Sequence, residues 1–214
     1  MKVDKFRTVI IYIIIILLGL VCLLPLLNIV AISFSSSAAV EGNMVGLIPV
    51  GFSTAAYEKI LEDSQFWHSF LISVERVVLT LIINFVLIVL MAYPLSKTNA
   101  QFRGRNIYAN LMIFAMLFNG GMIPTFLLVK SYGLLNTVWA LVLPGAVPIF
   151  NVILVMNFFA AVPKELEEAA FIDGANPLQV LTKIFIPISK PVLATVSLFS
   201  IVGSWNDFYS GLIY

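Results

Sequence analysis

The sequence predicts an all-α integral membrane protein with five spans, and three observations predict it. Of 214 residues, 61% are hydrophobic and 11% charged, where an ordinary soluble domain carries about 25% charged residues. Mean hydropathy is +1.04. Five apolar runs also reach the roughly 20 residues that a helix needs to cross a bilayer core about 30 Å thick. Helices are the expected form, because unpaired backbone groups cannot be left in hydrocarbon.

The first run, Val9–Ile32, follows the charged start MKVDKFR. It exceeds the roughly 7 to 15 apolar residues of a secretory leader, so it reads as a retained anchor. The second runs from Ser69 to Leu95, with Glu75 and Arg76 close to its start. The others are Ile107–Val129, Leu134–Phe158 and Val192–Tyr214. The expected organisation is a tail and first span (1–32), an outer loop (33–68) and a core of four spans (69–214) with an inner loop at 159–190.

Loop charge orients the chain. If the spans alternate, Lys2, Lys5, Arg7, Lys97, Arg103, Arg105, Lys164, Lys183 and Lys190 share one side, nine of the twelve basic residues. The positive-inside rule makes that side, with the amino terminus, cytoplasmic. A net charge of +1 argues against a nucleic-acid surface. The single Cys22 among apolar neighbours reads as an inert thiol.

Residues 159–190 then form the longest inner connection, where carboxylates can remain in water. Pro163 suits a first helical turn, and Glu165, Glu167 and Glu168 complement the helix dipole. Asp173-Gly174 predicts a left-handed stop, and Asn176-Pro177 a new cap. Leu178, Leu181, Ile184 and Phe185 fall on one face until Pro187, which is expected to end the run. The pattern predicts two short helices joined by a tight bend. It fits a protrusion that receives another protein, or an amphipathic hairpin lying on the membrane.

The stretch EAAFIDGANPLQVLTKIFIP, Glu168 to Pro187, resembles the EAA signature of ABC-importer permeases, with Glu168, Ala169, Ala170, Asp173, Gly174, Ile184 and Pro187 at matching positions. Upstream, FRGRNIYANLMIFAMLFNGGMIPTFLLVKSYGLLNTVWALVLPGAVPIFN, MAYPLSK and PVGFSTAAY are similar to MalG-like carbohydrate permeases of the LplC/YtcP branch. The resemblance covers most of the chain. It implies a MetI-like helical bundle in a bacterial cell membrane, importing oligosaccharides or complex sugars. It also implies four kinds of partner: cytoplasmic ABC ATPase subunits, a second homologous permease, an extracellular solute-binding lipoprotein and membrane lipid. Glu168, Ala169, Ala170, Asp173 and Gly174 would dock on the ATPase. The family has six spans, so a further span is expected after the five counted here.

Polar residues within spans should face protein or a wet cavity. Asparagines there serve helix-to-helix hydrogen bonding or a path, and Glu75 with Arg76 fits a mutual or snorkelling arrangement. Asn119, Gly120, Gly121 and Pro124 invite either a kink or local unwinding beside a cavity. Trp205, Asn206 and Asp207 suit stacking on sugar rings, or an interfacial aromatic belt. The chain has no GxxxxGK[ST] loop, HExxH or GxSxG pattern. ATP hydrolysis is therefore expected in a separate subunit, with no catalytic residue, cofactor or metal here. The competing readings are a permease for amino acids or peptides, an ion-coupled secondary transporter using Glu75 and Asp207, and an intramembrane enzyme.

Overall fold

In the computed structural model, residues 5–118 and 120–214 are described, and every regular element among them is helical. The chain divides into two units, 1–69 and 70–214. The first begins with α1 (Lys5–Ser33), whose side chains from Val9 to Val30 are almost all exposed, as a span bathed in lipid requires. Two short helices follow, α2 (Ser37–Glu41) and α3 (Ala55–Glu62). Their loop is pinned to the end of α1. The Asn28 amide donates to the Gly46 carbonyl at 2.7 Å, Ser33 and Tyr57 share a 2.8 Å hydroxyl contact, and the Phe34 ring stacks on Phe52.

Helix α4 (Ser64–Leu95) starts five residues earlier than the hydropathy pattern places the second span, which puts His68 on a helix. In the second unit its buried positions are Arg76, Thr80, Asn84, Ile88, Val89, Ala92 and Leu95, a stripe with four-residue spacing. The first three members of this stripe are polar and the remaining four apolar.

The remaining spans are broken. The run 107–129 is divided between α5 (Arg105–Leu117) and α6 (Met122–Ser131). Residues 134–158 form α7 (Val138–Val142), a 3₁₀ turn (Leu143–Gly145) and α8 (Ile149–Ala160), with a 47° bend. Pro144, Gly145 and Pro148 cause that break, since prolines remove backbone donors and fix φ. Among the described residues two helices are long and apolar enough to cross a membrane alone, and up to five spans result if each bent pair counts as one.

The inner loop folds as α9 (Lys164–Ile172), α10 (Pro177–Val180), a π turn (Leu181–Phe185) and α11 (Ile186–Ile188), and α12 (Lys190–Asn206) follows at an 85° bend. Two details correct the sequence reading. Pro187 does not end the helical run, because Ile186 donates to the Leu181 carbonyl five residues back and the widened turn admits the proline ring. The run ends instead at Ser189. Leu178 is 62% exposed, so the buried face consists of Val180, Leu181 and Phe185 with Ile184 partly covered. These residues join Ile88, Ala92, Val155, Phe159 and Val196 in one apolar cluster. Helix α13 (Phe208–Ile213) closes the described chain.

Candidate functional site

Two places in the second unit concentrate polar chemistry: the bend after α9 and the space between α4 and α12.

The bend is built by local rules. Gly174 sits at φ +81, the left-handed region that glycine enters without a Cβ penalty. Its N–H donates to the Phe171 carbonyl at 3.1 Å, and that of Ala175 to Ala170 at 2.9 Å, which together make a complete Schellman stop. Asn176 then caps α10 reciprocally with Gln179, each contact 2.9 Å long. Of the motif residues, Glu168, Ala169, Asp173, Gly174 and Pro187 are exposed, while Ala170 and Ile184 are partly buried. The outward surface of this elbow combines small side chains, bare backbone and two carboxylates with the exposed apolar side chains of Phe171, Ile172 and Leu178.

One glutamate of the same helix points the other way. Glu167 is 8% exposed and accepts from Lys97 Nζ at 2.7 Å and from the Tyr93 hydroxyl at 3.3 Å. The Lys97 ammonium lies 4.1 Å from the Tyr93 ring centre and 4.2 Å from that of Phe185, a double cation–π arrangement. Lys97 stands two residues beyond the end of α4. Burial pushes its pKa below 10.5, opposed by the hydrogen bond and charge of Glu167. Sequence reading missed this cluster, although three glutamates in Lys164–Glu168 signalled that one could turn inward.

Between α4 and α12 the structure sets three polar rungs in antiparallel register. Arg76 forms an ion pair with Asp207 and donates a second bond to its backbone carbonyl at 2.9 Å. Ser204 reaches Thr80 at 3.4 Å. The Asn84 amide nitrogen donates to the carbonyls of Gly145 and Ala146 at 3.2 and 3.0 Å, while its oxygen accepts from Ser200 at 3.2 Å. Of the two expected arrangements for Glu75 and Arg76, mutual or snorkelling, the mutual one is not formed, because Glu75 is exposed and Arg76 reaches across to Asp207 at the end of α12. Successive helical residues point about 100° apart, so the two cannot share one inward direction.

The rungs line a cavity of about 580 Å³, with Gly121, Thr125, Asn151 and Ser210 among its other walls. Gly121, at φ +89, opens α6 toward it. Among the residues singled out from sequence, Gly121 and Asp207 are in the lining, whereas Gly120, Pro124, Trp205 and Asn206 are outside it. Trp205 is 55% exposed and meets Phe70 edge-on, and Asn206 donates to the Val202 carbonyl. Asn119 lies outside the described residues. Hydroxyl and amide groups dominate the polar lining, and these both donate and accept hydrogen bonds.

Comparison with known proteins places these features in a family. Residues 78–214 match the family described as binding-protein-dependent transport system inner membrane component. Protein LplC of Bacillus subtilis (strain 168) is 44% identical over 196 residues, covering 92% of this chain and 66% of LplC, just under two thirds of its length. The polygalacturonan/rhamnogalacturonan transport system permease protein YtcP of the same organism is 42% identical, covering 99% of this chain and 73% of YtcP. A crystal structure of a bacterial ABC transporter involved in the import of the acidic polysaccharide alginate matches with a TM-score of 0.90 and 36% identity. That match covers 100% of this chain and 76% of the other. The chain belongs to the MetI-like, binding-protein-dependent transport system inner membrane components.

Proposed function

We propose that the chain is one permease subunit of an ATP-driven, binding-protein-dependent importer of oligosaccharides. The observation that carries this reading is the likeness to the alginate importer over the whole chain at a TM-score of 0.90. The transport of polygalacturonan and rhamnogalacturonan named for YtcP supports the same substrate class. The cavity chemistry agrees with it: the lining carries the hydroxyls of Thr80, Thr125, Ser200 and Ser204 and the Asn151 amide, groups that both donate and accept, while Asn84 is taken up by Gly145, Ala146 and Ser200. Between them Phe199 and Met122 supply apolar wall.

In this reading the elbow at 159–190 faces the cytoplasm and docks on a separate ATPase through Glu168, Ala169, Ala170, Asp173 and Gly174. A second permease subunit completes the path, and an extracellular binding protein delivers the sugar. Reconstitution of the complete set in liposomes is the direct test. Labelled oligogalacturonate, or a neutral oligosaccharide of the same length, is expected to accumulate only with ATP. Accumulation that follows a proton gradient without nucleotide would assign the chain to another transport class.

Gly174 provides a narrower test of docking. A Cβ built there meets nothing within 4 Å, so Gly174→Val is not blocked by a clash. Its internal cost is the left-handed backbone, roughly 1–2 kcal/mol. Its external effect is bulk on the docking face. The expected result is an assembled transporter that still receives its binding protein but hydrolyses ATP without matching uptake. Gly174→Asn, which tolerates the left-handed region, is expected to fall between valine and wild type.

A further inference from the structure

Helix α4 is separated from the elbow along the chain by α5 to α8, yet it carries the cavity's Arg76, Thr80 and Asn84. The chain routes out of α9 are interrupted. Toward α12 the path crosses the Gly174 bend, the π turn and the 85° corner at Ser189. Toward α8 it crosses the break at 161–163. Each interruption can absorb a displacement of α9 by changing a few backbone angles. The contact between α9 and the end of α4 has no such slack: Glu167 and Lys97 are charged, 11% and 12% exposed at the side chain, and held at 2.7 Å.

Two rings fix the ammonium from its other sides. Tyr93 stands on the last turn of α4, and Phe185 lies on the π turn. They meet edge to face at 5.1 Å with Lys97 against both. Glu167 also accepts from the Tyr93 hydroxyl at 3.3 Å, so α9 meets α4 at Tyr93 and the turn just beyond it at Lys97. From Tyr93 the helix runs unbroken to Arg76, about 25 Å at 1.5 Å per residue. A shift at one end of a continuous helix appears at the other.

We propose that Glu167 and Lys97, with the Tyr93 and Phe185 rings, form the joint through which the elbow moves α4, and with it one wall of the cavity. Glu167 is thus a positioning residue, distinct in role from its outward neighbour Glu168. The proposal rests on the reading of the chain as an ATP-driven permease. It adds that the force enters α4 laterally through an ion pair, and not only along the chain through α8 and α12.

The test uses the complete transporter in liposomes. Wild-type uptake on ATP comes first; if wild type does not transport, the functional reading itself fails, whatever the variants do. Given transport, Glu167→Gln and Lys97→Met are expected to retain assembly and ATP hydrolysis while uptake per ATP falls about 10-fold, within the usual range of coupling between sites. Lys97→Arg, which keeps a cation for Glu167 and for both ring faces, is expected to keep most of the wild-type uptake per ATP. A second measurement reads the far end of α4. Cysteines at Thr80 and Ser204 are expected to crosslink to different extents with and without ATP in the otherwise wild-type complex, and equally in the Glu167→Gln background. Unchanged uptake per ATP in both single variants would overturn the joint. So would a parallel loss of hydrolysis and uptake that tracks the loss of folded complex in both single variants, because the pair would then be glue alone.

Discussion

Asp207→Ala is expected to destabilise the second unit more than Arg76→Ala does, although both delete the same ion pair. Removing one partner of a buried pair leaves a charge without compensation, at a cost of about 3–5 kcal/mol. The two charges are not equally placed. Arg76 is 8% exposed as a residue, whereas the Asp207 side chain is 33% exposed and lies on the cavity wall. Both side chains line the cavity, but Arg76 presents only 10% of its side chain and Asp207 33%, so an orphaned Asp207 is hydrated more readily than an orphaned Arg76. Asp207 also accepts from the Ser210 backbone at 3.2 Å and so caps α13, which adds to its loss. The double replacement Arg76→Met with Asp207→Leu leaves no isolated charge and is expected to lie closer to wild type than either single alanine. Thermal unfolding in detergent, followed by tryptophan fluorescence, gives the order directly. A more severe Arg76→Ala, or a double replacement worse than both singles, would contradict this account of the rung.

The parts that sequence showed are those that local rules determine. Val9–Ile32 is a span because of composition alone, and the Asp173-Gly174 and Asn176-Pro177 signals specify a stop and a cap without outside help. The break between α7 and α8 was also written in Pro144, Gly145 and Pro148, but a hydropathy window averages over such punctuation. Other features depend on a partner. Arg76, Thr80 and Asn84 repeat every four residues, as do Ser200 and Ser204, yet nothing in either series names the other. Pairing requires the antiparallel register of α4 and α12. For the same reason the glutamate that turns inward could not be picked from Glu165, Glu167 and Glu168. Helical phase places Glu167 and Ala170 on one side and Glu168 on another, but which side meets α4 is a tertiary fact. Leu178 shows the opposite error, since a π turn resets the phase and leaves an apolar residue outside.

The same phase reset makes Phe185 the most costly single core residue to lose in the elbow. The π turn directs both Leu181 and Phe185 inward, and Phe185 is 2% exposed between Tyr93 at 5.1 Å and Phe159 at 5.4 Å. Truncation of a buried phenylalanine to alanine costs about 3–5 kcal/mol, because neighbours collapse only partly into the space. Here the space opens beside the Lys97 ammonium and admits water to the ion pair. Phe185→Ala is therefore expected to loosen α9 as well as the apolar cluster. In the detergent-solubilised protein, trypsin is expected to cut after the exposed Lys164 and Lys183 faster than in wild type. Phe185→Leu keeps most of the volume and is expected to cost less than about 1.5 kcal/mol. It nonetheless removes one of the two rings that hold Lys97. If the joint depends on packing alone, the leucine variant will resist trypsin as wild type does; if the ring's face also holds the ammonium, it will fall between wild type and alanine, which is the expected result.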